Sequence, residues 1–270
     1  MKKMTLDEIR KSQLEILKYL KKICDENNLR YYLTSGTLLG AVCHRGYIPW
    51  DDDIDVDMPR PDYLKLVEIM KSSKNDRYEL VCMHNNKDFT FPLAKMIDKK
   101  TVLIQNYGFI EKVQLGVYVD IFVLDGLPTD INESNKFIKK VYWARKKWYF
   151  ACRKIINSKS SVGKNIMFLF ISIPFKMVGI NYFLKKLDKL ITTYNYDRSQ
   201  YVGHIDFGDL DLARVPKIFF GNGEKLEFEG ELYSVPERYD EYLKHYYGDY
   251  MKLPPEDKRV SNHDYTAYWK

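Results

Sequence analysis

The segment Ile48–Met58, IPWDDDIDVDM, places five aspartates within seven positions and alternates the last of them with apolar residues. Successive side chains of a β-strand point to opposite faces, so Asp53, Asp55 and Asp57 would share one face of a strand. Neighbouring carboxylates repel each other, and partial burial raises that cost. A divalent cation removes the conflict, because Mg²⁺ and Mn²⁺ prefer carboxylate oxygens. The segment therefore predicts a metal-binding strand, and the alternative is a solvated acidic edge strand that discourages aggregation.

A turn suited to phosphate binding precedes this strand. Thr34, Ser35, Gly36 and Thr37 lead into TLLGAVCHRG, which is typical of a short helix with a glycine at each end. The backbone N–H groups and hydroxyls at such a helix start can bind phosphate. Because the Asp-x-Asp strand follows shortly afterwards, the two features together predict a phosphate site that faces a metal site.

A third carboxylate is expected from another strand. GVYVDIFVLDG, which begins at Gly116, carries Asp120 among apolar residues and Asp125 near its end. A lone buried carboxylate is costly, so Asp120 is predicted to complete the metal coordination or to act as a base. Asp125 precedes a glycine and is predicted to cap a turn.

The remaining periodicity predicts an α+β fold. Thr5–Glu8 fits a capping box, and the helix that follows ends at Asn27-Asn28. Strands are predicted at LRYYLTSG, YELVCMH, FTFPLAKMID, TVLIQ and VYVDIFVLD. LEFEGELYSVP is typical of a hairpin that turns at Glu229-Gly230, and PERYDEYLKHYYGD of a helix closed by Gly248. Residues 1–130 are interpreted as a catalytic core, 131–200 as a basic, apolar helical insertion, and 201–270 as a C-terminal helical return that closes the active site.

The composition indicates a globular protein but does not identify a binding partner. The chain has 270 residues, of which 45% are hydrophobic and 30% charged, which is typical of a globular protein with a sizeable core. The net charge of +6 is compatible with nucleic acid, an anionic membrane surface or phosphorylated substrates. The four cysteines form no CxxC pair, which favours a reducing, cytosolic setting. The first residues lack an apolar stretch, so no signal peptide is predicted.

One apolar segment, Asn165–Ile180, bears on membranes. NIMFLFISIPFKMVGI is shorter than the roughly 20 residues that a transmembrane helix needs, and Pro174 and Lys176 interrupt it. Lysines and arginines flank it on both sides, from Arg145 to Lys189. Three interpretations stay open: a buried core helix, an interfacial element whose lysines meet anionic lipid, and a true membrane span.

Several long motifs resemble those of the LicD family, whose members transfer phosphocholine from CDP-choline to bacterial surface glycans. They are GTLLGAVCHRGYIPWDDDIDVDMPRPDY, FPLAKMIDKKT, VYVDIFVLDG and the tail Val235–His263, so the resemblance covers both ends of the chain and leaves the region of about 130–200 unmatched. The core is also similar to that of fukutin-related ribitol-phosphate transferases and, more distantly, of nucleotidyltransferases. The resemblance implies a nucleotidyltransferase-like mixed β-sheet flanked by helices, with an Asp-x-Asp metal strand.

The resemblance also assigns roles to individual residues. It implies that Asp53, Asp55 and Asp120 bind Mg²⁺ (or Mn²⁺) and form the catalytic set, while Asp57 is set aside because similar sequences often lack an acid there. The predicted substrate-binding residues are Gly36, Thr37, Arg45, Trp50, Lys95, Tyr107 and His263.

Among these, Gly36 and Thr37 match the phosphate-contacting turn of the family. Lys95 matches its Ala-Lys motif and is predicted to meet a diphosphate, with a surface salt bridge as the alternative. Aromatic residues near the motifs are candidates for a box around choline: Trp50, Tyr107, Tyr118 and Phe122. Arg259 and His263 are candidates to close over the site, with an ordinary surface histidine as the alternative for the latter.

The function that the resemblance implies is metal-dependent transfer of phosphocholine from CDP-choline to a hydroxyl of a lipid-linked or polymeric glycan, such as a teichoic acid, capsule or lipopolysaccharide precursor. The alternatives are transfer of ribitol or glycerol phosphate, nucleotidyl transfer with release of pyrophosphate, and a non-enzymatic RNA- or phospholipid-binding module. The expected location is the cytoplasm, peripherally on the inner face of the plasma membrane through residues 145–189, with no nucleic-acid partner.

Overall fold

A computed structural model describes residues 1–105, 108–110, 112–154, 161–206, 208–260 and 265–270. Within these residues the helices are α1 Leu6–Asn27, α2 Ser35–His44, α3 Arg60–Ser72, α4 Ile131–Cys152, α5 Val162–Val178, α6 Ile180–Ile191 and α7 Tyr239–Tyr247. The strands are β1 Lys2–Lys3, β2 Tyr32–Leu33, β3 Asp55–Pro59, β4 Tyr78–Val81, β5 Ala94–Asp98, β6 Thr101–Gln105, β7 Tyr118–Leu127, β8 Tyr201–Gly203, β9 Val215–Pro216, β10 Glu224–Phe228, β11 Glu231–Val235 and β12 Tyr265–Trp269.

Helix α1 begins and ends where the sequence predicts. The Glu8 amide donates to Thr5 Oγ1 at 3.2 Å, and the Thr5 amide donates to Glu8 Oε2 at 2.9 Å, so the capping box is complete. The helix ends at Asn28, whose left-handed φ of 52° stops it. Its buried face, which includes Leu17 and Leu20, packs on β5 and β7.

The main sheet has the order β2-β3-β7-β5-β4, with β8 and β9 added beside the far end of β7. Strand β3 runs parallel to β7, whereas β5 runs antiparallel to it. The prediction of a mixed sheet flanked by helices is confirmed. This pairing fixes the register of the site, because Asp120 lies opposite Asp55 on one side and opposite Lys95 on the other.

Two smaller sheets complete the β-structure of the described residues. Strand β12 pairs with β1 and β6, which brings the last described residues back beside the first. The hairpin β10-β11 turns at Glu229 and Gly230, whose φ angles are 51° and 79°, as a two-residue hairpin turn requires. The predicted hairpin is therefore confirmed at the predicted turn.

Helices α4, α5 and α6 occupy the segment interpreted as an insertion. Apolar residues of α4 and α6 form a second small core with Leu127 at the end of β7. The division of the chain at residues 130 and 200 stays a prediction, although β8 and β9 extend the main sheet from beyond the helices.

The interpretation of Asp125 as a turn cap is wrong. Asp125 lies within β7, is 1% exposed, and accepts two hydrogen bonds from the Arg60 guanidinium, at 2.8 and 2.5 Å. Asp188 lies 3.5 Å from the same guanidinium. A buried arginine without such a partner would be costly, so this pair joins α3 firmly to the sheet.

His84, shortly after β4, connects the same region to α6. Its Nε2 lies 3.5 Å from Asp188, and its Nδ1 lies 3.0 Å from the Tyr63 hydroxyl. Hydrogen bonds with Asp188 and with the Cys82 thiol raise the pKa of His84 to about 9, although burial opposes the shift.

Helix α5 is not a buried core helix. Most of its described apolar side chains are exposed, including Phe170 at 69% and Met177 at 83%. Lys176 does not interrupt this surface, because its Nζ donates to the carbonyls of Ala151 and Arg153 at the end of α4. Among the described residues no single helix is long and apolar enough to cross a membrane, whereas Asn165–Val178 and Ile180–Ile191 together meet that criterion as a pair bent by 78°.

Candidate active site

From Asp55 onwards, the side chains of the aspartate strand alternate between the two faces of the sheet, as the sequence predicts. Ile54, Val56 and Met58 are fully buried, so the intervening carboxylates of Asp55 and Asp57 share the other face. Asp53 lies before the strand begins, so strand geometry alone does not set its orientation.

Asp55, Asp120 and Lys95 form one row across the sheet. Lys95 Nζ donates to Asp120 Oδ1 at 2.5 Å and lies 3.4 Å from the centre of the Tyr118 ring. The two charged side chains are only 7% and 12% exposed, so this ion pair is buried, unlike the surface salt bridge weighed above. The row thus places one ammonium group beside two carboxylates on the same face of the sheet.

The three aspartates that precede the strand form an acidic loop, Asp51–Asp53. One carboxylate oxygen from each lies within 4.8 Å of the others. The backbone of this loop is held from outside: Arg10 donates to the Asp51 carbonyl, and Gln13 and Tyr265 donate to the Asp52 carbonyl at 2.8 Å each. Helix α1 and the returning strand β12 therefore fix the acidic loop beside β3.

The acidic loop and the row act on each other electrostatically. Burial, followed by the charges of Asp53, Asp120 and Asp51, raises the pKa of Asp55 well above its usual range, and Lys95 offsets only part of this. Hard oxygen donors crowded with excess negative charge are the chemistry that Mg²⁺ or Mn²⁺ prefers. The donor chemistry of the predicted ligands Asp53, Asp55 and Asp120 suits such an ion, whereas the carboxylates that lie within 4.8 Å of one another are those of Asp51, Asp52 and Asp53.

Helix α2 brings both predicted phosphate-turn residues to this cluster. A Cβ atom on Gly36 would lie 2.3 Å from Asp51 Oδ2, so only glycine allows this approach. Thr37 is buried, and its Oγ1 accepts a hydrogen bond of 2.9 Å from the Asp55 amide. Thr37 thus positions Asp55 directly, a role that the sequence analysis did not predict.

The other predicted substrate-binding residues are scattered. Trp50 adjoins the acidic loop, and the Arg259 guanidinium lies 5.9 Å from its ring centre. Arg45 is exposed at the opposite end of α2, where its φ of 55° ends the helix. Arg45 lies nine residues after Gly36 along this helix, so about 13 Å separates the two. Tyr107 and His263 lie outside the described residues.

Asp57 is fully buried and is held on both oxygens. Oδ1 lies 3.1 Å from His204 Nδ1, and Oδ2 accepts a hydrogen bond of 3.0 Å from the Tyr242 hydroxyl. Burial alone would lower the pKa of His204, but the charge and hydrogen bond of Asp57 raise it. Asp57 therefore joins β3 to α7 and to the segment after β8.

An aromatic cavity of about 450 Å³ lies above this pair. Its main lining side chains are Ser35, Phe122, His204, Tyr242, Tyr246 and Tyr247, and the loop Gly208–Asp209 completes it. Of the aromatic candidates named from the sequence, Phe122 lines this cavity, whereas the hydroxyl of Tyr118 accepts a hydrogen bond from Gln105 and its ring contacts Lys95.

The aromatic cavity adjoins the carboxylates. Tyr247 keeps 45% of its surface exposed, but desolvation, followed by the charges of Asp55, Asp51 and Asp53, raises the pKa of its phenol. A ligand in the cavity would therefore lie beside the acidic cluster.

Comparison with known proteins identifies the family of the chain. A family model described as LicD/FKTN/FKRP, nucleotidyltransferase domain, matches residues 28–176. The chain belongs to this family. The lipopolysaccharide cholinephosphotransferase LicD of Haemophilus influenzae is 31% identical over 277 residues, which cover 99% of each chain. An uncharacterized protein of Rickettsia prowazekii is 28% identical over 152 residues, covering 56% of this chain and 52% of its own length.

The family assignment confirms the resemblance, and the matched range contains one part of the site but not the other. The matched residues 28–176 include Gly36, Asp55, Lys95 and Asp120, all of which were predicted. Most of the aromatic cavity lies outside them. His204 had no recognisable signal in the sequence, whereas the tyrosines of α7 stood within the segment PERYDEYLKHYYGD and were interpreted only as part of a helix.

Proposed function

We propose that this chain transfers phosphocholine from CDP-choline to a hydroxyl of a bacterial cell-surface glycan and releases CMP. The observation that carries the proposal is the row of Asp55, Asp120 and Lys95 beside the first turn of α2. The similarity to a lipopolysaccharide cholinephosphotransferase over nearly the whole chain supports the choline head group and a lipopolysaccharide-type acceptor.

In this proposal Asp53, Asp55 and Asp120 would hold Mg²⁺ (or Mn²⁺), and the ion would neutralise charge on the donor diphosphate. Thr37 keeps the Asp55 backbone in place. Lys95 supplies a positive charge to the non-bridging phosphate oxygens, and its contact with Asp120 and Tyr118 fixes its position.

The transfer itself is a displacement at the distal phosphorus. The acceptor oxygen forms a bond to the phosphorus that carries choline, and the bond from that phosphorus to the bridging oxygen breaks. CMP leaves with the bonding electrons, and a carboxylate of the cluster, Asp120 or Asp53, takes the proton of the acceptor hydroxyl.

The test is ³¹P NMR of the purified chain with Mg²⁺, a lipopolysaccharide acceptor and a panel of donors: CDP-choline, CDP-ribitol, CDP-glycerol and nucleoside triphosphates. We expect CMP from CDP-choline and none after EDTA. Asp55→Asn and Asp120→Asn are expected to lower the rate at least about a hundredfold, since charge stabilisation of this kind is worth that much. The matched control, Asp25→Asn, removes an exposed carboxylate of α1 and should change the rate little.

Other products would redirect the assignment. CMP from CDP-ribitol or CDP-glycerol alone would indicate a phospho-alditol transferase, and pyrophosphate from a triphosphate would indicate nucleotidyl transfer. Donor binding that is independent of metal and unchanged by both asparagine substitutions would refute the enzymatic proposal.

We also propose that the chain works in the cytoplasm at the inner face of the plasma membrane, where a lipid-linked glycan would be presented. The exposed apolar side of α5, with Phe170 and Met177, would enter the headgroup region. Lys185, Lys186 and Lys189 are exposed on α6, which packs on α5, and their charges complement anionic lipid.

Sedimentation with phosphatidylglycerol vesicles tests this location. The intact chain should bind, and binding should weaken with salt. The combined substitution Phe170→Gln and Met177→Gln should abolish it, whereas Leu232→Gln, on an exposed apolar residue of β11, should not. Failure of the intact chain to bind these vesicles would refute the proposed membrane contact.

A further inference from the structure

We propose that the aromatic cavity is the head-group site, and that it binds the trimethylammonium group of the donor between Phe122, Tyr246 and Tyr247. This inference rests on the proposed function for the identity of the donor. It adds the side chains that select a quaternary ammonium, most of which lie outside the residues matched by the family model.

The walls of the cavity are suited to a large cation. The rings of Tyr242 and Tyr246 are 4.9 Å apart between centres, and the His204 ring lies 5.4 Å from Phe122 and 5.8 Å from Tyr246. Aromatic faces attract a quaternary ammonium through their negative π-surfaces, and such a cation cannot be held by hydrogen bonds because it has no N–H donor.

The charges around the cavity also favour a cation, because the guanidinium beside it, that of Arg145, is near two carboxylates, Asp206 and Asp209. Asp209 lines it with an exposed carboxylate. Any positive charge on His204 is balanced within the wall, because Asp57 lies 3.1 Å from its Nδ1. The acidic loop contributes further negative potential at Tyr247. A cationic head group therefore meets attraction on entering.

Register places this cavity at a suitable distance from the phosphate. Phe122 follows Asp120 by two residues on β7 and so lies on the same face, about 7 Å along the strand. Its partner across β3 is Asp57, just as the partner of Asp120 is Asp55. With the distal phosphorus at the row of carboxylates, the short O–C–C–N chain of phosphocholine brings the ammonium to the aromatic cavity.

The walls suit a quaternary ammonium better than an alditol, although Ser35, Asp209, Tyr246 and Tyr247 also bring polar atoms to them. Ribitol or glycerol phosphate would need hydrogen-bonding groups that read hydroxyls. The Tyr242 hydroxyl already bonds Thr34 and Asp57, and Phe122 offers none. The cavity thus favours choline among the CDP-linked donors considered above.

The test compares substitutions that remove the ring of Tyr246 or Tyr247 with substitutions that remove only the hydroxyl. Dissociation constants for CDP-choline and CMP would be measured by calorimetry. Tyr246→Leu and Tyr247→Leu are each expected to weaken CDP-choline binding by about 3- to 30-fold and to leave CMP binding unchanged, since a cation–π contact contributes about 0.5–2 kcal/mol. Tyr246→Phe and Tyr247→Phe, which keep the rings, should stay within about twofold.

A second probe keeps this inference separate from the proposed function. Binding of tetramethylammonium would be followed by NMR, with sodium at equal ionic strength as the control. Saturable shifts that the leucine variants lose would support the cavity even if the chain used another donor. Absence of such shifts in the unmodified chain would overturn the inference. Turnover of CDP-choline with an unchanged KM in both leucine variants would likewise overturn it, while leaving the transferase assignment intact.

Discussion

Removal of the Tyr242 hydroxyl is expected to destabilise the fold while leaving the aromatic cavity in place. The hydroxyl donates to Asp57 Oδ2 at 3.0 Å, so the Thr34 hydroxyl must donate to it across their separation of 2.7 Å. Thr34 and Asp57 are 0% exposed, so water does not replace the lost partner. Tyr242→Phe therefore leaves one buried donor and one buried carboxylate oxygen unsatisfied.

The magnitude follows from these two contacts. A hydrogen bond to a charged group contributes about 1.5–3 kcal/mol, and a neutral one about 0.5–1.5 kcal/mol. His204 still satisfies the other oxygen of Asp57, so the expected loss is about 2–4 kcal/mol. That is a large fraction of the total stability of a typical domain.

The assay is urea unfolding at constant pH, with the midpoint and the slope fitted together. We expect a lower midpoint at an unchanged slope, because the exposed surface on unfolding does not change. Tyr246→Phe is the matched control: its hydroxyl lies 3.5 Å from His204 Nε2, too far for a strong hydrogen bond, and the loss should stay below about 1 kcal/mol. Equal effects of the two substitutions would refute the reasoning.

Three further predictions concern other parts of the fold. Gly36→Ala should lower kcat/KM at least about tenfold with little loss of stability, because the new methyl displaces the Asp51 carboxylate; steady-state kinetics and urea unfolding separate the two effects. Asp125→Ala should lower the free energy of unfolding, measured in urea, by about 3–5 kcal/mol, because it leaves the Arg60 guanidinium buried without its main partner. The double substitution Arg60→Met with Asp125→Leu should recover most of that loss. The pKa of His84 is about 9 in the folded state, above its ordinary value of 6.5. Its protonation therefore stabilises the fold fully below about pH 6.5, and this stabilisation is lost towards pH 9. The destabilisation by His84→Gln should be about 2 kcal/mol at pH 6 and should shrink markedly at pH 9.5.

Local patterns predicted much of the fold because the forces involved are local. The capping box fixed the start of α1, the alternation of aspartates with apolar residues fixed the faces of β3, and the Glu229-Gly230 turn fixed the hairpin. Each of these depends on neighbours within a few positions.

Long-range pairing limited the prediction of the site. The sequence indicated that Asp120 joins the aspartate strand, but only the parallel register of β3 and β7 places it opposite Asp55. Thr37 was assigned to phosphate, whereas its hydroxyl holds the Asp55 amide. Asp57 was set aside as a ligand, and its partners His204 and Tyr242 lie 147 and 185 positions further along the chain, where no local pattern points to them.

The loop Gly208–Asp209 lies between helix α4 and the proposed head-group site. This loop lines the aromatic cavity on one side and, on the other, a second cavity of about 310 Å³ formed with α4. Arg145 of α4 donates to the Gly208 carbonyl at 2.6 Å. Helix α4 in turn packs on α5, which carries the exposed apolar surface. If α5 contacts a membrane as proposed, the packing of α5 on α4 and the hydrogen bond from Arg145 to Gly208 would connect that contact to one wall of the proposed head-group site.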